Sequence, residues 1–209
     1  MAIRTATCAR TIPTLLGVAL VLTTSTLRAQ GPASPTVTIC LTCHGPAGEA
    51  MSATPGAPPI PRLEGQQAEY LAKQLREFKA GKRKNDLMKP VLASLGRRQF
   101  EELAAHFAGQ TPDRGPSPDA SLAERGRILY EEGSTTRGVP ACMGCHQAKG
   151  AGAPKYPRLA GQRQTYVVQQ LNNFKQGART NDRAHVMRSI AANLTDEEMK
   201  ALAAYLAGQ

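Results

Sequence analysis

The sequence predicts an all-α fold in two tandem domains, and three observations carry that expectation. Apolar residues recur at helical spacing in both halves, and no segment alternates apolar and polar residues as a half-buried strand would. The pentapeptide Cys-x-x-Cys-His occurs twice, at 40–44 and 142–146. The same residue pattern follows each pentapeptide, so the chain carries an internal duplication.

In chain order, residues 1–29 read as a cleaved export signal. Arg4 and Arg10 flank the start of the apolar stretch Ile12 to Leu22, and Leu27-Arg28-Ala29 offers a small-residue cleavage site. That stretch is too short for a comfortable membrane span. Cys8 would leave with the signal. The other four cysteines then all lie in the two pentapeptides, with none left for a disulfide. Loss of Arg4, Arg10 and Arg28 lowers the formal charge from +10 by three, to +7. A basic exported chain favours acidic protein partners or an anionic membrane surface. Export and an aromatic content of 4% with no Trp argue against nucleic acid. The sharpest basic run, Lys82-Arg83-Lys84, reads as a solvated turn, with a docking patch as the alternative.

The pentapeptides carry the chemistry. Cys40 and Cys43, like Cys142 and Cys145, stand at the spacing that lets two thiols form thioethers to the two vinyl groups of one porphyrin. His44 and His146 follow directly, each placed to ligate the iron. Two covalently bound haem c groups are therefore the expected cofactors. A buried porphyrin also supplies the large apolar group that a small, aromatic-poor domain lacks. A zinc site of four thiolates would leave the adjacent histidines unexplained and needs closer cysteine pairs.

The repeat justifies the remaining elements. Pro61-Arg62-Leu63-Glu64-Gly65-Gln66 matches Pro157-Arg158-Leu159-Ala160-Gly161-Gln162, 96 residues later. Tyr70, Gln74, Leu75, Phe78 and Gly81 match Tyr166, Gln170, Leu171, Phe174 and Gly177 in the same register. Leu71, Leu75 and Phe78, and Val167, Leu171 and Phe174, fall at i, i+4, i+7, predicting one helix per repeat that stops at its glycine. Met88 and Met187 are the only methionines at equivalent positions, which makes them the candidate second axial ligands. A thioether ligand raises the potential and suits electron transfer. His106 and His185 are the rival ligands.

Pro61 and Pro157 could offer carbonyls to the second ring nitrogens of the histidines. Arg62, Arg83, Arg158 and Arg179 are read either as partners of haem propionates or as surface residues. A helix is expected from about Gly96 through Phe100, Leu103 and Phe107. A proline-rich linker follows at 111–119, then a helix from Ala123 to Glu132 that precedes the second pentapeptide. Thr195 with Glu198 three residues later is a capping box opening a last helix through Met199, Leu202, Ala203 and Leu206. The expected domains are thus 30–110 and 120–209. The first lacks room for a full helix before its pentapeptide, and that helix is expected to be missing or much shortened.

These motifs together resemble the dihaem cytochrome c4 family over residues 38–209. The resemblance rests on Cys-x-x-Cys-His, Pro-Arg-Leu-x-Gly-Gln, Tyr-x-x-x-Gln-Leu-x-x-Phe and Gly-x-Arg in both halves, and on the final helix from Leu194. It implies two class I cytochrome c domains in tandem, each wrapped around a covalently bound haem, with His44 and Met88, and His146 and Met187, as axial pairs. It also implies a non-enzymatic, periplasmic electron carrier, in some members membrane-associated. Such a carrier runs from a quinol-oxidising complex or a dehydrogenase towards a terminal oxidase, with no small-molecule substrate. An electron-accepting cytochrome subunit of a sulfide, thiosulfate or alcohol dehydrogenase is the alternative reading.

Overall fold

Ser34-Pro35 opens the first helix, α1 (Pro35–His44): the Ser34 hydroxyl accepts from the Val37 N–H at 3.4 Å, and proline occupies the position that needs no donor. The computed structural model describes Met1, residues 34–45, Met51, residues 54–112 and residues 119–209. The export signal expected at 1–29 therefore lies, past Met1, outside the described residues, as do 113–118 of the expected linker.

The first repeat continues with α2 (Ala68–Lys79), α3 (Met88–Val91) and α4 (Arg97–Ala108). The second holds α5 (Ala120–Glu132), α6 (Met143–His146), α7 (Gln164–Lys175), α8 (Val186–Ala192) and α9 (Asp196–Ala207). Short 3-10 turns lie at Thr135–Arg137, Ala148–Gly150 and Arg183–His185. Among the described residues there is no strand, only the isolated bridges Ser134–Val139 and Ala153–Tyr156. The fold is all-α, as the periodicity predicts.

The leading helix of the first repeat is much shortened, as expected: within α1 only residues 35–39 precede the pentapeptide, against the thirteen residues of α5 in the second repeat, and buried Val37 joins Leu71, Leu103, Ala104 and Phe107 in the core. Here the leading helix and the pentapeptide are fused into ten residues; in the second repeat they are separate, as α5 and α6.

Each core is built from equivalent positions. Leu71, Leu103, Ala104 and Phe107 with Cys40, Leu63, Leu75 and Leu95 line one. Val167, Leu202, Ala203 and Leu206 with Cys142, Leu159, Leu171 and Leu194 line the other. The last helix of each repeat is tied to the Pro-Arg-Leu turn: Gly65 N–H donates to the Phe107 carbonyl and Gly161 N–H to the Leu206 carbonyl, both at 2.8 Å. Positive φ at Gly65 and Gly161, 66° and 71°, is what aims those N–H groups. In the second repeat α5 crosses α9 in backbone contact. A Cβ built on Gly126 would lie 1.9 Å from the Ala201 carbonyl oxygen. Beside that crossing, Tyr130 and Tyr205 pack with ring centroids 5.3 Å apart. The Thr195–Glu198 capping box forms as expected.

The two repeats belong to one compact unit and meet through reciprocal bonds. Gln66 Nε2 donates to the Arg158 carbonyl at 2.8 Å and the Arg158 N–H donates to Gln66 Oε1 at 2.7 Å. Gln162 does the same to Arg62, at 3.0 and 2.9 Å. A second layer joins α2 to α7. Arg83 donates to Gln74 at 2.7 Å, Tyr166 at 2.8 Å and Gln170 at 2.9 Å. Arg179 donates to Gln170 at 2.8 Å, Tyr70 at 3.0 Å and Gln74 at 3.2 Å. Each guanidinium also stacks on a phenylalanine of its own repeat, Arg83 on Phe78 at 4.4 Å and Arg179 on Phe174 at 4.5 Å.

Candidate functional site

In both repeats a helix carries the pentapeptide. Helical geometry sets residues three apart on one face, so Cys40 and Cys43, and Cys142 and Cys145, can address one flat group. All four thiols are free, three of them half-buried and Cys145 exposed. Burial pushes the Cys40 thiol up, and the Cys142 thiol up to about 11. Among the described residues no three His, Cys, Asp or Glu side chains gather as a metal cluster.

The histidines are held alike. His44 Nδ1 lies 3.0 Å from the Pro61 carbonyl oxygen, and His146 Nδ1 lies 3.0 Å from that of Pro157. A carbonyl only accepts, so Nδ1 carries the ring proton and Nε2 keeps its lone pair. Burial moves both imidazoles below their ordinary 6.5, against the opposing pull of the proline carbonyl. For His44 the charge of Arg163, from the other repeat, pushes further down and Glu64 pushes back. Both rings are thus neutral at pH 7, each presenting an unprotonated Nε2 as an iron ligand must. The prolines of the Pro-Arg-Leu turns do what their spacing led one to expect.

Met88 opens α3, half-buried against Phe78, Leu92 and Phe100. Met187 is the second residue of α8 and equally half-buried. Of the rival histidines, His106 pairs with Gln110 at 2.8 Å and packs edge-on to Phe107, while His185 is exposed at φ 62° where α8 begins. The donor set of each repeat, two thiols, a neutral imidazole and a half-buried thioether, fits an iron porphyrin. Arg158 Nε fits as well: it is buried with no hydrogen-bond partner, which a carboxylate of the propionate kind would satisfy.

Two arginine expectations are corrected. Arg83 and Arg179 are neither surface residues nor free for a propionate, being 7% and 8% exposed and saturated by the interface. The interface roles of Gln66, Gln74, Tyr70 and their counterparts escaped the sequence reading. The signal was present, since each of these residues recurs in both repeats at the same register.

Comparison with known proteins agrees with this geometry. Residues 123–209 match the cytochrome c family model. The chain is 40% identical over 182 residues to cytochrome c4 of Azotobacter vinelandii, covering 81% of this chain and 84% of that one. It is 37% identical over 186 residues to a thiosulfate dehydrogenase electron acceptor of Stutzerimonas stutzeri strain A1501, covering 85% and 82%. The crystal structure of reduced recombinant cytochrome c4 from Pseudomonas stutzeri superposes with a TM-score of 0.74 at 37% identity, covering 82% of this chain and 94% of that one.

Proposed function

The chain belongs to the dihaem cytochrome c4 family, and from that premise we propose that it carries single electrons in the periplasm between respiratory complexes, towards a terminal oxidase. The coarser statement is already in hand: it is a dihaem c-type cytochrome of the electron-carrier class, with two covalently bound haem c groups, that works with redox protein partners. Residues 30–110 and 120–209 would be the two haem domains. Cys40 and Cys43, and Cys142 and Cys145, would hold the porphyrins by thioethers, with His44 and Met88, and His146 and Met187, on the irons.

Bound haem supplies the redox chemistry, one electron for each iron between ferrous and ferric. The chain's own residues keep that change small. The Pro61 and Pro157 carbonyls fix the tautomer and tilt of the two imidazoles, so no proton has to move at Nδ1 when the charge changes. The apolar clusters around Leu71 and Phe107, and around Val167 and Leu206, would shield a bound porphyrin from water. The interface layers tie the two repeats, and with them the two donor sets, into one unit. Among the described residues no helix is long and apolar enough to cross a membrane.

The observation that carries this reading is the repeated donor set with a neutral, Nδ1-protonated imidazole in each half. A redox titration of the purified holoprotein, followed by absorbance, tests it. Two one-electron midpoints and a mass increased by two haems are expected. Material that loses its colour on acid–acetone extraction would overturn the assignment. A second reading, electron acceptor of a periplasmic oxidoreductase, is favoured by the likeness to the thiosulfate dehydrogenase electron acceptor. Co-purification with a catalytic subunit would select it.

A further inference from the structure

A carrier must bring its partner close to a haem, and the two repeats differ sharply beside their methionines. In the first repeat Lys82, Lys84 and Lys89 are exposed within ten residues of one another, and Asp86 is the one acid among them. Arg83, in the middle of the basic run, is buried against Gln74, Tyr166 and Gln170. That anchor fixes the backbone between Lys82 and Lys84, whose side chains have no ion-pair or hydrogen-bond partner among the described residues. Two large apolar side chains stand bare in the same segment, Leu87 at 60% and Val91 at 44% exposure, one on each side of Met88.

The second repeat keeps less of this cationic rim, with Arg183 exposed beside Asp182. Ala178 and Thr180 replace Lys82 and Lys84. Arg188 replaces Lys89, but Asp182 holds it at 2.7 Å. Val186 stays exposed, at 45%, while Ile190, the counterpart of Val91, is partly buried against the core.

We infer that segment 82–91 is a docking surface for a redox protein whose contact face is apolar at its centre and acidic at its rim, making the first repeat the port for that partner. The inference rests on the electron-carrier reading above. Lysines steer an acidic partner in and set its orientation, while Leu87 and Val91 give the dry contact at the centre. An anionic lipid surface would also attract the lysines. Apolar side chains on both sides of the residue assigned to iron favour the protein instead, because packing there brings a partner's cofactor near the haem. No bond forms or breaks: one electron leaves the reduced partner and the oxidised holoprotein takes it up.

The test is stopped-flow reduction of the oxidised holoprotein by the hydroquinone form of flavodoxin, an acidic redox protein. Wild type is compared with the K82Q/K84Q/K89Q variant and with R183Q, which removes an exposed charge from the second repeat. Unchanged midpoints and near-infrared spectra show that both haems are intact. The triple variant is expected to react roughly tenfold more slowly at low ionic strength, converging with wild type at high salt, with R183Q unchanged. Equal rates for wild type and triple variant, or slowing by R183Q instead, would overturn the port. So would an unchanged flavodoxin rate with lost binding to phosphatidylglycerol vesicles, which would assign the lysines to lipid. Wild type that neither flavodoxin nor ascorbate reduces would overturn the electron-carrier reading itself.

Discussion

Gln66 grips the backbone of Arg158 by both its N–H, at 2.7 Å, and its carbonyl, at 2.8 Å, as one β-strand would grip another. Gln162 grips Arg62 in the same way, so four hydrogen bonds cross between the repeats through two side chains. Each glutamine oxygen also accepts from the next residue's N–H, Gln67 or Arg163, which sets its orientation before the partner arrives.

Truncation to alanine therefore strands a backbone donor and acceptor. Q66A and Q162A are each expected to cost about 1–3 kcal/mol. Because the same contacts couple the halves, Q66A/Q162A should also split a single urea transition into two. Unfolding followed by Soret absorbance and far-UV circular dichroism reads both effects. Coincident curves at the wild-type midpoint would mean that the clamp contributes nothing.

Gly126 and Gly144 make a matched pair of tests. A methyl group on Gly126 collides with the Ala201 carbonyl, whereas one on Gly144, inside the second pentapeptide, meets nothing within 4 Å. G126A should pry α5 from α9, loosen Tyr130 against Tyr205, and lower stability by about 3 kcal/mol or more. G144A should melt within about 0.5 kcal/mol of wild type. Thermal melts of the two variants side by side settle the comparison.

Arg163 gives the haems of the two repeats different surroundings. Its charge bears on His44, while its counterpart in the first repeat is the neutral Gln67, so His146 has no equivalent cation. A nearby cation disfavours the ferric state and raises the potential. R163Q should lower one of the two midpoints, that of the first repeat, and leave the other in place. Equal shifts of both midpoints would refute a local effect.

Asp182 accepts from the Arg188 N–H at 3.0 Å and from its guanidinium at 2.7 Å, with its side chain only 3% exposed. Burial pushes its carboxyl pKa up, but these bonds outweigh that and hold it below the ordinary 3.8. A depressed folded-state value stabilises the protein above pH 3.8 and is lost as pH falls through the lower value. D182N should lower stability at pH 7 by about 1 kcal/mol and flatten the acid end of the stability profile. An unaltered profile below pH 4 would locate the acid sensitivity elsewhere.

Oxidised low-spin iron with a methionine ligand absorbs weakly in the near infrared. M88A and M187A should each remove about half of that band, and the double variant all of it. Retention of the full band in M187A would point to a different ligand in the second repeat.

What the sequence reveals follows from how local the physics is. The haem pentapeptides are legible because covalent chemistry demands two thiols and an imidazole in fixed succession. The Thr195–Glu198 box is legible for the same reason, both partners lying within one turn. Arg83 was not: in a Lys-Arg-Lys run it looks solvated, and its acceptors Tyr166 and Gln170 lie 83 and 87 residues away. The shortening of the helix before the first pentapeptide was legible in the few residues available there, and Ser34 followed by Pro35 marks its start.

The glutamine and arginine bonds described above each join a residue to the counterpart of one of its neighbours, so that part of the two faces is one pattern used twice. A self-complementary patch of this kind is what closes a twofold homodimer, with each subunit offering what it also receives. The peptide bridge from first repeat to second keeps the concentration of one half high around the other, while the matched glutamines and arginines set the register in which the halves meet.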